Sequence, residues 1–101
     1  MNIKIILVAL ATLSFSTLTS AAGDAVAGKA KAGVCAACHG VNGISAISIF
    51  PNLKGQHAAY TVKQLKAFKN KTRIDPSMNA QVATLTDTDI ENLAAFYESL
   101  K

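Results

Sequence analysis

The chain is poor in the residues that most catalytic and metal chemistry needs: its 101 residues include two cysteines, two histidines and two methionines. Two cysteines exclude a disulfide-dense small scaffold. A four-ligand zinc site would consume both cysteines and both histidines, and His39 stands directly beside Cys38, too close for easy simultaneous use. Serines and threonines are plentiful, but only His39 and His57 exist to activate them. No acid/base pair, nucleophile or phosphate loop is recognisable, so the sequence is not that of an enzyme. A long apolar run is missing as well. The one candidate, near the N-terminus, is broken by Thr12, Ser14, Ser16, Thr17, Thr19 and Ser20, whereas a membrane span needs about 20 apolar residues.

That segment reads instead as a secretory signal peptide. Lys4 supplies the positive start, Ile5–Phe15 the apolar stretch, and Ser20-Ala21-Ala22 a small-x-small cleavage pattern. Cleavage near Ala22 leaves one domain, residues 23–101, exported and expected in a bacterial periplasm. Of the 37 apolar residues in that part, 14 are alanine and two cysteine, which leaves 21 larger side chains for a core. A chain this small is marginal, and natural ones usually carry a staple. The composition excludes a multidomain enzyme and, being half hydrophobic, a disordered protein.

The staple is written in Cys35-Ala36-Ala37-Cys38-His39. In an exported chain, C-x-x-C-H reads as covalent attachment of a c-type haem. Two thiols one helical turn apart can add to the two vinyl groups on one porphyrin edge, and the adjacent imidazole is then held where it can bind iron. A thioredoxin-like C-x-x-C would want a βαβ context, and strand signals are almost absent. For the sixth iron position, Met78 is the only methionine after the leader and lies in a proline-containing stretch, Arg73-Ile74-Asp75-Pro76-Ser77-Met78-Asn79, read as a loop. A thioether favours reduced iron and raises the reduction potential; the competing role for Met78 is that of a core gap-filler. His57 is the rival ligand, with a solvent-facing place in a first helical turn as its ordinary alternative.

Four helical stretches are expected. Asp24 caps Ala25 to Gly33, which runs into the haem motif. Residues His57 to Asn70 carry Ala58, Thr61, Val62, Leu65 and Phe68 at helical spacing. Met78 to Ala83 makes a short turn of helix. The last helix, capped by Thr86 or Thr88, places Asp87, Asp89 and Glu91 near its start and presents Ile90, Leu93, Ala94, Tyr97 and Leu100 on one face. Between the haem motif and the second long helix, Gly40 to Gly55 reads as a loop wrapping a haem, with Ile47, Ile49, Phe50 and Leu53 against the porphyrin. The fold class is all-α, about four short helices and loops around one haem.

These blocks resemble, in order and over essentially the whole mature chain, the class I c-type cytochromes, most closely the small bacterial monohaem members. The matching residues are Gly33-x-Cys35-x-x-Cys38-His39-Gly40, Pro51-x-Leu53-x-Gly55-Gln56, Tyr60 with Gln64-Leu65 and Phe68, Met78, and Leu85-Thr86-Asp87 running into Ala94-x-x-Tyr97. The resemblance implies thioethers on Cys35 and Cys38, His39 and Met78 as axial ligands, and a hydrogen bond from His39 to the Pro51 carbonyl. It also implies a place for Gln56 and Tyr60 near a propionate, and a crossing of the terminal helices at Gly28. Two positions depart from the family. Lys31 and Ala32 stand where an aromatic residue often precedes the first cysteine, which predicts a thinner helix crossing. Asn70 stands near where a glycine commonly ends the helix, and is expected to take the left-handed cap.

Charge is segregated. Residues 51–73 hold Lys54, Lys63, Lys66, Lys69, Lys71 and Arg73 and no acid, whereas 84–100 hold four acids and no base. Such a basic segment can steer docking to acidic faces of redox proteins, membrane-bound or periplasmic; a solvated helix face is the plain alternative. Nucleic acid is not expected of an exported chain with so small a net charge. The sequence thus reads as a soluble electron carrier. A peroxidase- or sensor-like haem domain, or the haem subunit of a larger oxidoreductase, is the alternative.

Overall fold

The computed structural model describes residues 8–12 and 23–101. The expected leader, 1–22, lies outside the described residues apart from 8–12, which are exposed and carry no regular element. No helix among the described residues is long and apolar enough to cross a membrane.

Helix α1 (Ala25–Lys31) starts at Asp24, whose Oδ1 accepts from Val26 N at 2.9 Å and Ala27 N at 3.2 Å. The expected continuous segment to Gly33 is interrupted. Ala32 leaves the helical path at ψ −3°, and its N–H is shared between the Gly28 and Lys29 carbonyls. The break lets Ala32 turn into the core, and α2 (Gly33–His39) begins immediately. The cysteine motif is therefore a helix of its own, which makes five helices among the described residues where four were expected. Gly40 ends α2 at φ +86°, and a Cβ there would fall 1.9 Å from the Ile44 carbonyl oxygen, so only glycine fits.

Residues 40–57 form no strand. The loop is fastened from within: Leu53 N and Lys54 N both donate to the Gly43 carbonyl, and Ser45 N donates to Asn52 Oδ1 at 2.7 Å. The Ser45 hydroxyl lies 3.0 Å from the Cys38 carbonyl oxygen, so the loop also grips the end of α2.

Helix α3 (Ala58–Lys69) has His57 at its N-cap, but the His57 side chain makes no cap bond. Glu98 supplies the cap from a distance, its Oε2 accepting from Ala58 N at 2.6 Å. At the other end, Asn70 stays right-handed at φ −86°, against expectation. Its side-chain carbonyl is engaged by Thr72 N and Thr72 Oγ1 in a local turn, and Lys71 takes the left-handed conformation at φ 63°.

Helix α4 (Pro76–Val82) starts two residues before the expected Met78. Pro76 occupies the first helical position, where its missing N–H costs nothing, and Asp75 caps by accepting from Met78 N at 3.0 Å. Met78 is thus in the first turn of a helix, not in a loop. Helix α5 (Asp87–Ser99) is capped by Thr86, with Asp89 completing the reciprocal capping box.

The core is built on α5. Ile90, Leu93, Phe96 and Tyr97 are buried in one cluster with Phe68 of α3, Val82 of α4, Leu85 and Ala32, and Ala94 is buried on the same helix. Across α1, Gly28 lets the backbones touch: a Cβ at that position would sit 1.9 Å from the Asn92 carbonyl oxygen. Asp24 N donates to Asn92 Oδ1 at 2.8 Å, Gly55 N donates to the Tyr97 carbonyl at 2.9 Å, and Lys31 Nζ lies 3.6 Å from Asp89 Oδ2. With no aromatic residue on the α1 side before Cys35, the α1–α5 crossing is held by close backbone approach and by the bonds from Asp24 to Asn92 and Lys31 to Asp89.

Candidate haem-attachment site

In α2, Cys35, Cys38 and His39 stand at positions i, i+3 and i+4, a spacing that places all three on one side of the helix. Both cysteines are free thiols; Cys35 is half-buried and Cys38 exposed. His39 is 6% exposed, and its Nδ1 donates to the Pro51 carbonyl oxygen at 2.7 Å. A carbonyl can only accept, so this bond fixes the proton on Nδ1 and leaves the Nε2 lone pair available. The same bond orients the ring and raises its basicity. The Phe50 ring stands beside it, centroids 6.5 Å apart.

Tyr97 borders the cysteine end of the site. Its hydroxyl is buried beside the Cys35 thiol and has no oxygen or nitrogen partner among the described residues; burial, together with Cys35, pushes it well above the ordinary phenol range, so it stays neutral. Burial likewise pushes the Cys35 thiol up, with the Tyr97 hydroxyl partly opposing the shift. Sequence reading placed Tyr97 on an apolar helix face and among the residues matching the family, but gave it no place beside the cysteines; the signal that it does more is a hydroxyl in a row of Ile, Leu and Ala.

Met78 is half-buried and packs against the same core cluster as Cys35. Gln56 is half-buried, and its Oε1 accepts from His57 N at 2.8 Å. Tyr60 is half exposed. Neither makes a hydrogen bond to Cys35, Cys38 or His39 among the described residues. His57 is exposed at the start of α3. Leu53 packs inward and Phe50 is half-buried, while Ile47 and Ile49 are open on the surface of the polypeptide, the latter 79% exposed.

The basic segment is less uniform than its sequence. Lys69 Nζ donates to the Leu85 carbonyl. Arg73 donates to Gln64 Oε1 at 2.7 Å and stacks its guanidinium 4.5 Å from the centre of the Phe68 ring. Lys66 and Lys69 share a shallow groove with Asp87. Lys54, Lys63 and Lys71 make no side-chain bond among the described residues.

The residues fit a covalently held haem and not a zinc ion. Two free thiols lie one turn apart beside a buried imidazole with one nitrogen tied and the other available, and the buried Tyr97 hydroxyl lies next to the Cys35 thiol. No group of three or more His, Cys, Asp or Glu side chains that could hold a metal ion exists among the described residues. Fold and site together define an all-helical domain whose Cys35 and Cys38 pair fits a covalently bound haem c.

Comparison with known proteins narrows the class. The sequence model of the Cytochrome c family matches residues 20–101, and the chain belongs to that family. It is 42% identical to cytochrome c4 of Pseudomonas aeruginosa over 98 residues, covering 97% of this chain and 49% of the relative. It is 42% identical over 81 residues to cytochrome c-554(548) of Halomonas halodenitrificans, covering 77% of this chain and 98% of the relative. The crystal structure of reduced cytochrome c4 from Pseudomonas stutzeri superposes with a TM-score of 0.75 at 40% identity, covering 79% of this chain and 47% of that one. The chain therefore spans about half the length of the cytochrome c4 relatives it matches.

Proposed function

We propose that the domain is a soluble periplasmic electron carrier. Its leader, 1–22, is removed on export, and one haem is held by thioethers from Cys35 and Cys38 with His39 and Met78 as axial ligands. When bound, the haem supplies one-electron exchange between ferrous and ferric iron. The chain does the rest. The Pro51 carbonyl holds His39 in one orientation and makes it a stronger donor, Met78 offers a soft sulfur that favours reduced iron, and the α5 core keeps the surroundings apolar. No side chain is assigned to bond-making chemistry. The buried His39 bound to Pro51, directly beside two free thiols, carries this reading.

Redox proteins with acidic faces are the proposed partners. They would be met by the basic segment Lys54, Lys63, Lys66, Lys69, Lys71 and Arg73, of which Lys54, Lys63, Lys66 and Lys71 make no side-chain bond among the described residues. An optical spectrum with a redox titration tests the assignment. The ferric holoprotein should show the weak red-edge band of methionine-ligated haem, and Met78→Ala should keep the haem but lower the potential. Absence of the band in the unaltered protein, with rapid carbon monoxide binding to its ferrous form, would establish an open-site haem enzyme or sensor instead.

A further inference from the structure

Asn79 follows Met78 in the first turn of α4 and is half-buried. Its side-chain amide is engaged at both ends. Nδ2 donates to the Phe68 carbonyl at 2.7 Å and to the Arg73 carbonyl at 3.0 Å, and Oδ1 accepts from Asp75 N at 2.9 Å. Those three backbone points belong to the last turn of α3, the connecting turn, and the N-cap of α4. One side chain thus ties both ends and the middle of the connection that delivers Met78. The tie is reciprocated, since Asp75 Oδ1 accepts from Met78 N at 3.0 Å and Asp75 O accepts from Asn79 N at 2.7 Å. A seven-residue helix has little stability of its own, so external anchors decide where its first turn sits.

We propose that Asn79 is the positioning residue for Met78, holding the first turn of α4 against the end of α3 so that the thioether stays seated on the haem side of the core. This rests on the reading of Met78 as distal ligand. An amide is required chemically: two donors face two carbonyls and an acceptor faces an N–H. A carboxylate at the same place would keep the acceptor, lose both donors and set a negative charge against two carbonyl oxygens.

The test is displacement of Met78 by added imidazole in the ferric holoprotein, followed by the red-edge band. Asn79→Ala should bind imidazole about tenfold or more tightly than the unaltered protein, the scale expected when one to three ordinary hydrogen bonds are lost. The band should also bleach at a lower alkaline pH. Asn79→Asp, which keeps the side-chain volume, should behave the same way and serves if the alanine variant does not accumulate. Ser77→Ala is the control: Ser77 is exposed, flanks Met78 on the other side and makes no side-chain bond among the described residues, so its imidazole affinity should match that of the unaltered protein. A normal band with unchanged imidazole affinity in both Asn79 variants overturns the positioning role alone, even if their urea midpoints fall. Absence of the band before any substitution overturns the Met78 reading, and this proposal with it.

Discussion

Replacing Gly28 by alanine puts one methyl group into the crossing of α1 and α5, and the structure sets the size of the penalty. The new Cβ would lie 1.9 Å from Asn92 O, 2.5 Å from Asn92 C and 2.9 Å from Phe96 Cβ. The first two are backbone atoms and cannot rotate away. Reaching an ordinary contact of 3.4 Å requires 1.5 Å of separation between the helices. That movement loosens Phe96 and its buried neighbours Ile90 and Leu93, and strains the Asp24 to Asn92 bond at the same edge. Overpacking of this kind costs about 1–3 kcal/mol, and the lost contacts add to it. Alanine's better helix propensity returns up to ~1 kcal/mol, so the net loss should be about 2 kcal/mol. With a urea slope near ~1 kcal/mol per M, the low end for small proteins, the midpoint of the haem-loaded protein should fall by roughly 2 M. Gly33→Ala is the matched control: no atom lies within 4 Å of its Cβ position, so it should gain about 0.4–1 kcal/mol through the unfolded chain alone. If Gly28→Ala unfolds at the same urea concentration as the unaltered protein, the close crossing is not what fixes α1.

Two further predictions concern charge. Backbone hydrogen bonding from Thr86 holds the Asp89 carboxyl below its ordinary value of 3.8, with Lys31 helping. A depressed folded-state value means that its stabilisation is present above pH 3.8 and is lost as pH falls through the lower folded value. Asp89→Asn should therefore flatten the decline of thermal stability in that acid range, and an unchanged acid slope would refute the capping-box account. Lys63→Glu combined with Lys71→Glu should slow electron transfer with an acidic partner at low salt and leave the reduction potential in place; a rate indifferent to both charge and ionic strength would remove the basic segment from docking.

What was legible in the sequence followed the range over which each constraint acts. Covalent attachment needs Cys35, Cys38 and His39 within one turn, so the chemistry is written in five consecutive residues. The start of α5 was readable to within two residues, because Thr86 with Asp89 and Thr88 with Glu91 both have the capping-box spacing, and only the fold selects Thr86. The break at Ala32 left no mark, since alanine is the best helix former and the turn there is imposed by its burial. Pro76 was ambiguous: a proline suits both a loop and a first helical position, and only the Asp75 cap decides between them. Gly28 stood out through the family pattern, yet the close approach that demands it involves Asn92, far along the chain. The Asn79 tie and the Glu98 cap of α3 span 11 and 40 residues and carry no periodicity, so nothing local announces them.

Helix α5 supplies the acceptors that fasten the start of α1, the turn at Gly55 and the start of α3, through Asn92, Tyr97 and Glu98. A chain emerging from its N-terminus reaches these acceptors after every segment that depends on them. Joining Asp24 to Asn92 closes a loop of 68 residues, and its entropy is repaid only once the whole α5 face has docked. Assembly is therefore late and cooperative. Before that moment the Cys35–His39 turn has no lid, and both thiols are open to modification; afterwards Cys35 is half-covered by the cluster that α5 completes. Docking of α5 thus separates a state in which both sulfurs are exposed from one in which Cys38 alone is.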